Sequence, residues 1–440
     1  MKKLKEIKNW GNYPRIPAQL MELEFINEIS EFIERQSNVT VRGNGRAYGD
    51  ASLGENIFST LKLDKFLALD EKQGIITCQA GTIFADILKL IVPKGFFLPV
   101  TPGTKFITVG GAIAADVHGK NHHSEGCFSR HLISFQLIGD RGNLITCSRE
   151  ENTELFWTTI GGMGLTGLIY SAVFYLKRIE TAYIRQESIK ARNLTEVMDL
   201  FEASRDWTYT VAWLDCLSHG KNQGRSLLLR GEHATIEELP PHLQKRPLNL
   251  PEKRKLDIPF TFPNFVLNGL SVQIFNTLYY HKQWQEKKTS IIDCDRYFYP
   301  LDGIENWNRI YGDRGFVQYQ FVLPKAQSKA GLEEILNQIS TSKKGSFLTV
   351  LKLFGQADPD ACLSFPMEGY TLALDFKLQP GLFEFLNELD KIVLECGGRL
   401  YLVKDARTTA QTLSYYPHLA QFKAQINRKF TSHLAKRIGL

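Results

Sequence analysis

Hydrophobic and polar residues alternate over short stretches in the first 180 residues, and glycines separate these stretches. VTVRGNG (39–45), GIITCQAGT (74–82) and GLIYSAVFYLKRI (167–179) are rich in β-branched and aromatic residues, which predicts short strands. Between them, TIFADILKLIVPKG (82–95) has apolar residues at helical spacing and ends in Lys94-Gly95, which predicts a helix. This part of the chain is therefore expected to mix strands and helices.

After about residue 183 the apolar stretches become longer and more aromatic. TYTVAWLDCL (208–217), FVQYQFVLP (316–324) and YTLALDFKL (370–378) predict longer strands. Residues 255–285 are also strongly aromatic, but two prolines and a glycine interrupt them. Two interpretations of this segment stay open: a buried loop with short helices, or a mobile apolar cover over a lipid-like ligand.

The composition is that of a soluble globular protein rather than a disordered one. Of the 440 residues, 43% are hydrophobic and 23% are charged, and the length predicts two domains. The net charge of +6 is spread along the chain. This disfavours a nucleic-acid interface and suits anionic partners such as phospholipid surfaces.

Cysteine usage and the N-terminus predict the compartment. The seven cysteines are odd in number and form no CxxC pair, which indicates free thiols in a reducing environment. MKKLKEIKNWGNYPRIP (1–17) lacks the apolar region of a secretory signal, and no run of about eighteen apolar residues occurs. We expect a cytoplasmic protein with at most a peripheral contact with the inner face of the cell membrane.

Three glycine-rich stretches carry the first functional signal. They are VRGNGRAYGDAS (41–52), PVTPGTKFITVGGAIAADVHGKNHHSEG (99–126) and ELFWTTIGGMGLTGLI (154–169). Glycines let the backbone approach a ligand closely, so that successive N–H groups can converge on phosphate oxygens. The first stretch lacks the third glycine of a Rossmann fingerprint. The three together predict a backbone wrapped along a flat ligand and its diphosphate.

Three of the ten histidines lie in the second stretch, within AADVHGKNHHSEG (114–126). A metal site would need them to converge with a further ligand, and the glycines beside His118 suit a cofactor loop better than a rigid ligand helix. We therefore expect no metal. For His122 and His123 we expect a structural role, bonded to the backbone.

Taken together, the three loops resemble the flavin domain of the vanillyl-alcohol-oxidase (p-cresol methylhydroxylase) class of FAD enzymes. HGKNHHSEG, GGMGLTGLI, GFVQYQFVLP, SFLTVLKLFG and GGRLYLVKDARTTA further resemble the decaprenylphosphoryl-β-D-ribose 2′-oxidase family, from about residue 38 to the C-terminus. The resemblance implies an α+β, two-domain FAD-binding fold. Its FAD-binding domain would comprise residues 1–182 with a returning segment 399–440, and its antiparallel-sheet substrate domain residues 183–398.

The resemblance also implies the site residues. His118 beside the flavin and Lys404 are the candidate catalytic groups, and Tyr48, Gln318, Gln320, Lys352 and Lys404 are the candidate substrate-binding residues. The candidate FAD-binding residues are Arg42, Gly43, Asn44, Gly45, Arg46, Tyr48, Gly49, Asp50, Gly103, Thr108, Val109, Gly110, Gly111, Ala115, Asp116, Val117, His118, Gly119, Asn121, Gly162, Gly167, Ile169 and Tyr401.

Local patterns bear on three of these residues. Period-two alternation places Gln318 and Gln320 on one strand face, where two amides can bind sugar hydroxyls. The alternative, that both belong to an exposed polar face, stays open. Lys404 lies between apolar strand residues, where a lysine is costly unless it meets an anion such as reduced flavin or a phosphate. The alternative is a surface ion pair with Asp405.

Two departures from the related families are informative. The chain has no histidine before His118 and no cysteine in residues 99–111, so FAD is expected to be bound non-covalently. Ala373 stands where the family has a pocket cysteine, and Thr371 where it has an asparagine. We expect oxidation to be preserved and cysteine-directed inhibitors not to attach, while the sugar and polyprenyl chain stay open.

The implied reaction is FAD-dependent oxidation of the 2′-hydroxyl of a polyprenyl-phosphate-linked ribose, the first half of an epimerisation to arabinose in cell-envelope biosynthesis. An NAD(P)H-dependent short-chain reductase would act next. The alternatives are a soluble alditol- or aldonolactone-type sugar oxidase, an NADPH-dependent flavin reductase on a related fold, and a non-enzymatic flavin-binding protein.

Overall fold

The computed structural model describes residues 4–251 and 255–440. The strands in the first part of the chain are short and end at turns, as the glycine spacing predicts. They are β1 (Lys5–Lys8), β2 (Arg15–Met21), β3 (Thr40–Arg42), β4 (Asn56–Ser59), β5 (Phe66–Asp70), β6 (Ile75–Gln79), β7 (Phe96–Phe97), β8 (Leu132–Ile138), β9 (Leu144–Ser148), β10 (Leu168–Tyr175) and β11 (Lys177–Arg178).

These strands form small separate sheets. Within the described ranges, one sheet has the order β1-β2-β4-β3, with parallel pairing of β4 to β2 and β3. A second sheet has the order β5-β6-β10-β8-β9 and is antiparallel. Strands β7 and β11 form a third pair.

The later strands are β12 (Tyr183–Ala191), β13 (Tyr209–Leu214), β14 (Ser226–His233), β15 (Leu256–Asp257), β16 (Lys287–Asp293), β17 (Ile304–Glu305), β18 (Phe316–Pro324), β19 (Thr349–Phe354), β20 (Gly369–Lys377) and β21 (Arg399–Leu400). Seven of the later described strands are longer, with six to nine residues each, whereas β15, β17 and β21 have two. In the part of the chain that the structure describes, eight of the later strands form one antiparallel sheet of order β16-β12-β14-β13-β19-β20-β18-β21, called here the large sheet.

The helices cover the sheets and their loops. They are α1 (Ile26–Arg35), α2 (Phe84–Ile91), α3 (Val109–Ala114), α4 (His122–Glu125), α5 (Thr153–Thr159), α6 (Leu194–Glu202), α7 (Pro241–Gln244), α8 (Gly269–His281), α9 (Cys294–Phe298), α10 (Lys325–Ser342), α11 (Leu382–Glu395), α12 (Leu419–Gln425) and α13 (His433–Ile438). The predicted helix within 82–95 is α2, and Gly95 follows it at φ 79°, in the left-handed region that favours glycine.

Each face of the large sheet has a different neighbour. On β18, Val317, Tyr319 and Phe321 join the hydrophobic core formed with α6, α10 and α11. Gln318 and Gln320 lie on the opposite face, because successive side chains of a strand point to opposite sides. One face of the large sheet is therefore packed against helices, and the other is free to line a site.

The C-terminal segment returns to the first part of the chain. Strand β21 pairs with β18 at the edge of the large sheet, and beyond it Phe430 forms a parallel bridge with Val39. Arg437 binds Asp50 at 2.7 Å and Asp405 at 2.8 Å. The exact domain boundaries at 182 and 398 stay predictions.

The aromatic segment 255–285 contains a full helix. The prolines precede α8, whose first turn is closed by a capping box between Asn268 and Ser271. Val272, Asn276 and Tyr280 form its buried face. In the basic sequence KRK at 253–255, Lys253 and Arg254 lie outside the described residues. None of the described helices has the length and apolar composition that crossing a bilayer requires.

Candidate active site

A cavity of about 1050 Å³ lies between the glycine-rich loops and the free face of the large sheet. Its lining includes parts of all three predicted loops together with side chains from β12, β13, β14, β18, β19 and β20. Two parts of the chain that are distant in sequence therefore build the opposite walls of one site.

The loop wall consists largely of backbone. Among the described residues that line the cavity, eight are glycines: Gly43, Gly45, Gly103, Gly110, Gly111, Gly119, Gly164 and Gly167. A Cβ at Gly43 would overlap Oγ1 of Thr108, the residue that caps α3 by accepting from the Gly111 N–H at 3.1 Å. Such a wall admits a flat ligand against the main chain, and this fits FAD.

Most of the residues implied by the resemblance line this cavity. They are Gly43, Asn44, Gly45, Arg46, Tyr48, Gly103, Thr108, Gly110, Gly111, Ala115, Val117, His118, Gly119, Gly167, Ile169, Gln318, Gln320, Lys352, Tyr401 and Lys404. The structure thus brings these candidate residues together in one cavity, although they are spread along the chain from residue 43 to residue 404.

Seven implied FAD-binding residues lie outside the cavity lining: Arg42, Gly49, Asp50, Val109, Asp116, Asn121 and Gly162. The side chains of several are bound elsewhere in the protein. Arg42 hydrogen-bonds Asn9 and the Lys8 carbonyl, and Asp50 pairs with Arg437. Asp116 accepts from the Ser364 hydroxyl at 2.5 Å. These side chains hold the loops in place.

His118 is buried in the cavity wall among three aromatic rings. Its ring centroid lies 4.8 Å from that of Phe354 and 5.2 Å from that of Tyr401. In the amide orientation described, Gln320 Nε2 donates to His118 Nε2 at 3.1 Å, which leaves the proton of a neutral ring on Nδ1. Burial and then the charge of Lys352 hold the pKa of His118 well below its usual value, so the ring is neutral at neutral pH.

The other two histidines of the cluster differ from each other. His123 Nε2 lies 2.7 Å from the Trp207 carbonyl, as expected for a backbone-bonded residue. The expectation is wrong for His122, whose two buried ring nitrogens have no hydrogen-bond partner among the residues that the structure describes. Its ring instead packs 4.4 Å from Phe354, so its environment favours an uncharged aromatic group. No group of metal-ligating side chains converges within the described ranges.

Lys404 points into the cavity and not towards Asp405, which binds Arg437. The Lys404 ammonium donates to Gln318 Oε1 and lies 4.3 Å from the ring centroid of Tyr48. Gln318 Nε2 in turn donates to Asp375 Oδ1 at 2.6 Å. Gln318 therefore bridges a lysine and a buried carboxylate.

Lys404 and Asp375, the two charged ends of this bridge, both have shifted pKa values. Burial lowers the pKa of Lys404 to about 8, although the charge of Asp375 opposes this shift. Burial also raises the pKa of Asp375 to about 7, against the hydrogen bond from Gln318. A lysine with such a pKa can give and take a proton near neutral pH.

Sequence reasoning missed Asp375 and Lys120. Asp375 follows Thr371 and Ala373 on the same face of β20, so strand alternation could have found it. Lys120 belongs to the quoted HGKNHH stretch and donates to the Tyr297 carbonyl. Burial and the nearby Lys352 lower the pKa of Lys120 to about 7, and burial and Lys404 do the same for Lys352. The three lysines make this end of the cavity suitable for an anion.

The two substituted positions lie beside the glutamines. Ala373 pairs directly with Gln320 across β18 and β20 and lines the cavity. Thr371 Oγ1 accepts from Gln320 Nε2 at 3.3 Å. The missing thiol therefore leaves a methyl group in the wall, and the threonine still supplies a hydrogen-bond acceptor.

Comparison with known proteins defines the class. The model of the FAD binding domain family matches residues 21–148, which contain the first two glycine loops. The chain is 24% identical over 202 residues, 44% of its length, to L-gulonolactone oxidase of Bos taurus, and these residues make up 44% of that protein. It is thus an FAD-dependent oxidoreductase acting on CH–OH groups, with the expected α+β two-domain fold.

Two relatives extend over most of the chain. Decaprenylphosphoryl-β-D-ribose oxidase of Mycolicibacterium smegmatis is 35% identical over 453 aligned residues, which cover 99% of this chain and 98% of that protein. An uncharacterized protein of Streptomyces coelicolor is 32% identical over 369 residues, 80% of this chain and 99% of its own length. The chain belongs to the decaprenylphosphoryl-β-D-ribose oxidase family.

Proposed function

We propose that the protein oxidises the 2′-hydroxyl of a ribose carried on a polyprenyl phosphate. One observation carries the proposal: a glycine wall suited to FAD shares one cavity with two glutamine amides and three lysines. Amides suit sugar hydroxyls, and the lysines suit the phosphate of the substrate. A free-sugar oxidase would have less use for this concentration of positive charge, and the lactone oxidase matches less than half of the chain.

FAD, when bound, supplies the acceptor for the hydride of the carbinol carbon. In this proposal Lys404 removes the hydroxyl proton, because its pKa of about 8 gives a useful fraction of the neutral amine near pH 7. His118 Nε2 accepts a hydrogen bond from Gln320, so in this proposal the neutral ring holds Gln320 in position. Gln318 holds Lys404 in position, and Gln320 and Tyr48 orient the sugar.

The test is anaerobic reduction of the purified holoenzyme by polyprenyl-phosphoryl ribose, followed as loss of flavin absorbance. We expect bleaching with this substrate and none with free ribose, an alditol or NADPH. Bleaching by NADPH would instead support a reductase, and rapid bleaching by a free alditol would support the soluble sugar oxidase. Lack of reduction by every one of these compounds would favour a flavin-binding protein without this activity.

We also propose that FAD is held without a covalent bond. Among the described residues that line the cavity, His118 is the one histidine and cysteine is absent, so few side chains could form such a bond. Acid precipitation should release the yellow colour into the supernatant. A protein band that fluoresces on a denaturing gel would contradict the proposal.

A peripheral membrane contact is proposed for α8. Its outward face carries Leu270, Ile274 and Leu278, each more than half exposed, and Trp284 just beyond the helix is 92% exposed. Exposed apolar rows with a tryptophan and nearby lysines are typical of segments that lie in a lipid interface. We place this contact on the inner face of the cell membrane.

Liposome co-sedimentation tests the membrane contact. Deleting 258–280 would remove the buried side chains of α8, so substitution of Leu270, Ile274 and Leu278 by serine is the better variant. The triple variant should keep its FAD and lose binding to anionic vesicles. Leu144→Ser is the matched control, because Leu144 on β9 is 42% exposed. Unchanged vesicle binding of the triple variant would contradict the contact.

The 2-keto sugar formed in this proposal needs a second enzyme to become arabinose. We propose an NAD(P)H-dependent short-chain reductase as that partner, since hydride delivery to the opposite face of the ketone completes the epimerisation. Product analysis with and without such a reductase tests the step. Release of a stable keto sugar in its absence is the expected result, and arabinose formed by this protein alone would contradict it.

A further inference from the structure

The cavity continues well past the glutamines and lysines, along the free face of the large sheet. Gln320 pairs with Ala373, Ala373 with Val350, Val350 with Trp213 and Trp213 with Leu227, each on the next strand. All five residues line the cavity. The wall therefore changes from amide to hydrocarbon as it crosses from β18 to β14.

A second row continues the path to the sheet edge. Val211 pairs with Leu229, Leu229 with Ser188, and Ser188 with Lys288 on the edge strand β16. We call Val211, Trp213, Leu227, Leu229 and Val350 the apolar strip. From β19 to β16 the path crosses four strand spacings, or about 19 Å.

The end of α8 and the residues after it cover the side of the strip that faces away from the strands. Tyr279 packs on Trp213 with ring centroids 4.6 Å apart. Gln283 is tied to β12, because it accepts from the Ser188 hydroxyl at 2.6 Å and donates to the Ser188 carbonyl at 3.0 Å. Exposed Trp284 lies next to it and also lines the cavity.

The lysines of the cavity lie at the two ends of the strip, an arrangement that suits an amphiphilic ligand. Lys120, Lys352 and Lys404 lie at the inner end of the strip, and Lys282 and Lys288 lie at its outer end. The apolar strip occupies most of the length between them, with Ser188 next to Lys288. A ligand with an anionic head and a hydrocarbon tail would place each part against a wall of suitable chemistry, and a free sugar phosphate would leave the strip unused.

We infer that the hydrocarbon chain of the substrate crosses the apolar strip beneath Tyr279–Gln283 and leaves the protein beside Trp284. This rests on the proposed function and adds to it the course of the lipid. The apolar strip is continuous with the sugar-phosphate end of the cavity, so the tail of the same substrate is the occupant that fits it. The exit beside α8 places this tail at the surface proposed to contact the bilayer. The head group then enters the cavity while the tail stays in an apolar environment.

Steady-state kinetics with two substrates test the inference. Ribose on a decaprenyl phosphate and ribose on a geranyl phosphate share the head group and differ in the tail. Leu229→Gln should raise KM for the long-chain substrate by roughly tenfold or more, since it places an amide where a half-buried leucine contacts the chain. Its kcat, and its KM for the geranyl substrate, should change by less than a factor of about three, because the short geranyl tail has little contact with the strip at Leu229. Leu144→Gln on β9 is the control.

The outcomes separate the inference from the proposed function. If the wild-type protein oxidises neither substrate, the proposed function fails. If it oxidises both and Leu229→Gln leaves the ratio of their KM values unchanged, the course of the lipid is wrong. If the variant misfolds, the wild-type protein is instead cross-linked with decaprenyl-phosphoryl ribose that carries a benzophenone on its tail. Cross-links to peptides of β13, β14 or 279–285 support the inference, and cross-links confined to other peptides overturn it.

Discussion

The two walls of the cavity are built in opposite ways. The loop wall presents backbone, because glycines such as Gly43 and Gly110 keep side chains away from it. The sheet wall presents side chains, which are supplied by several strands of the large sheet. A wall of backbone accepts a common cofactor, and a wall of side chains determines which substrate reaches it. Changes to the first wall should therefore affect FAD binding, and changes to the second should affect turnover with FAD retained.

The largest effect is expected for Gly43→Val, which tests the loop wall. Its side chain would overlap Oγ1 of Thr108 and intrude on the cavity, so the purified protein should lose its FAD and all activity. Gly103→Ala is the matched control, because a Cβ there meets no atom of the described residues within 4 Å. The flavin-to-protein absorbance ratio and circular dichroism give the measurement. A folded Gly43→Val variant with full FAD content would end the contrast between the walls.

Lys404→Met tests the side of the cavity opposite the loops, because Lys404 lies just after β21 and donates to Gln318 of the sheet wall. Loss of the base should lower the rate of flavin reduction by roughly 10²–10⁴-fold, the usual contribution of general base catalysis, while FAD stays bound. His118→Ala should also retain FAD and lose turnover, because Gln320 loses the ring that holds it. Lys391→Met on α11, whose side chain is 63% exposed, is the control. Stopped-flow reduction at saturating substrate measures the rate, and an unchanged rate for Lys404→Met would remove it from the mechanism.

Asp375→Asn should shift a pH profile rather than abolish the reaction. The Asp375 charge favours the protonated form of Lys404 and so raises its pKa, which stands at about 8. Without this charge the pKa falls, the neutral amine is present at lower pH, and the rising limb of the rate moves to lower pH. The substitution preserves a group that can accept from Gln318. Identical profiles for the wild type and variant would show that Asp375 does not act through Lys404.

The smallest effect is expected for Ala373→Cys. Its side chain faces the cavity beside Gln320, so the variant gains an accessible thiol without losing a hydrogen bond. Turnover should stay within about twofold of the wild type, as for a small change without a named destabilising mechanism. Intact-protein mass spectrometry should show attachment of a cysteine-directed inhibitor to the variant and not to the wild type. Equal labelling of both would place the reactive thiol elsewhere.

The contrast between the walls also explains which residues the sequence could predict. The loop wall comes from contiguous stretches whose glycine content is visible along the chain, and Gly110, Gly111 and Gly119 occur within ten residues. The sheet wall has no such local pattern. Gln318 and Lys404 were identified by resemblance, while Asp375 and Lys120 were missed. Their proximity depends on which strands become neighbours.

By itself, the sequence determined the mixed α and β organisation, the longer later strands and the loops that suit FAD. These features follow from local periodicity and from the conformational freedom of glycine, which act over a few residues. The tertiary structure decided what faces the loops. Pairing of β13 with β19, and of β18 with β20, aligns Trp213, Val350 and Gln320 in one wall. The outward face of α8 was likewise decided by packing, because apolar residues on both sides of a helix do not indicate which side is buried.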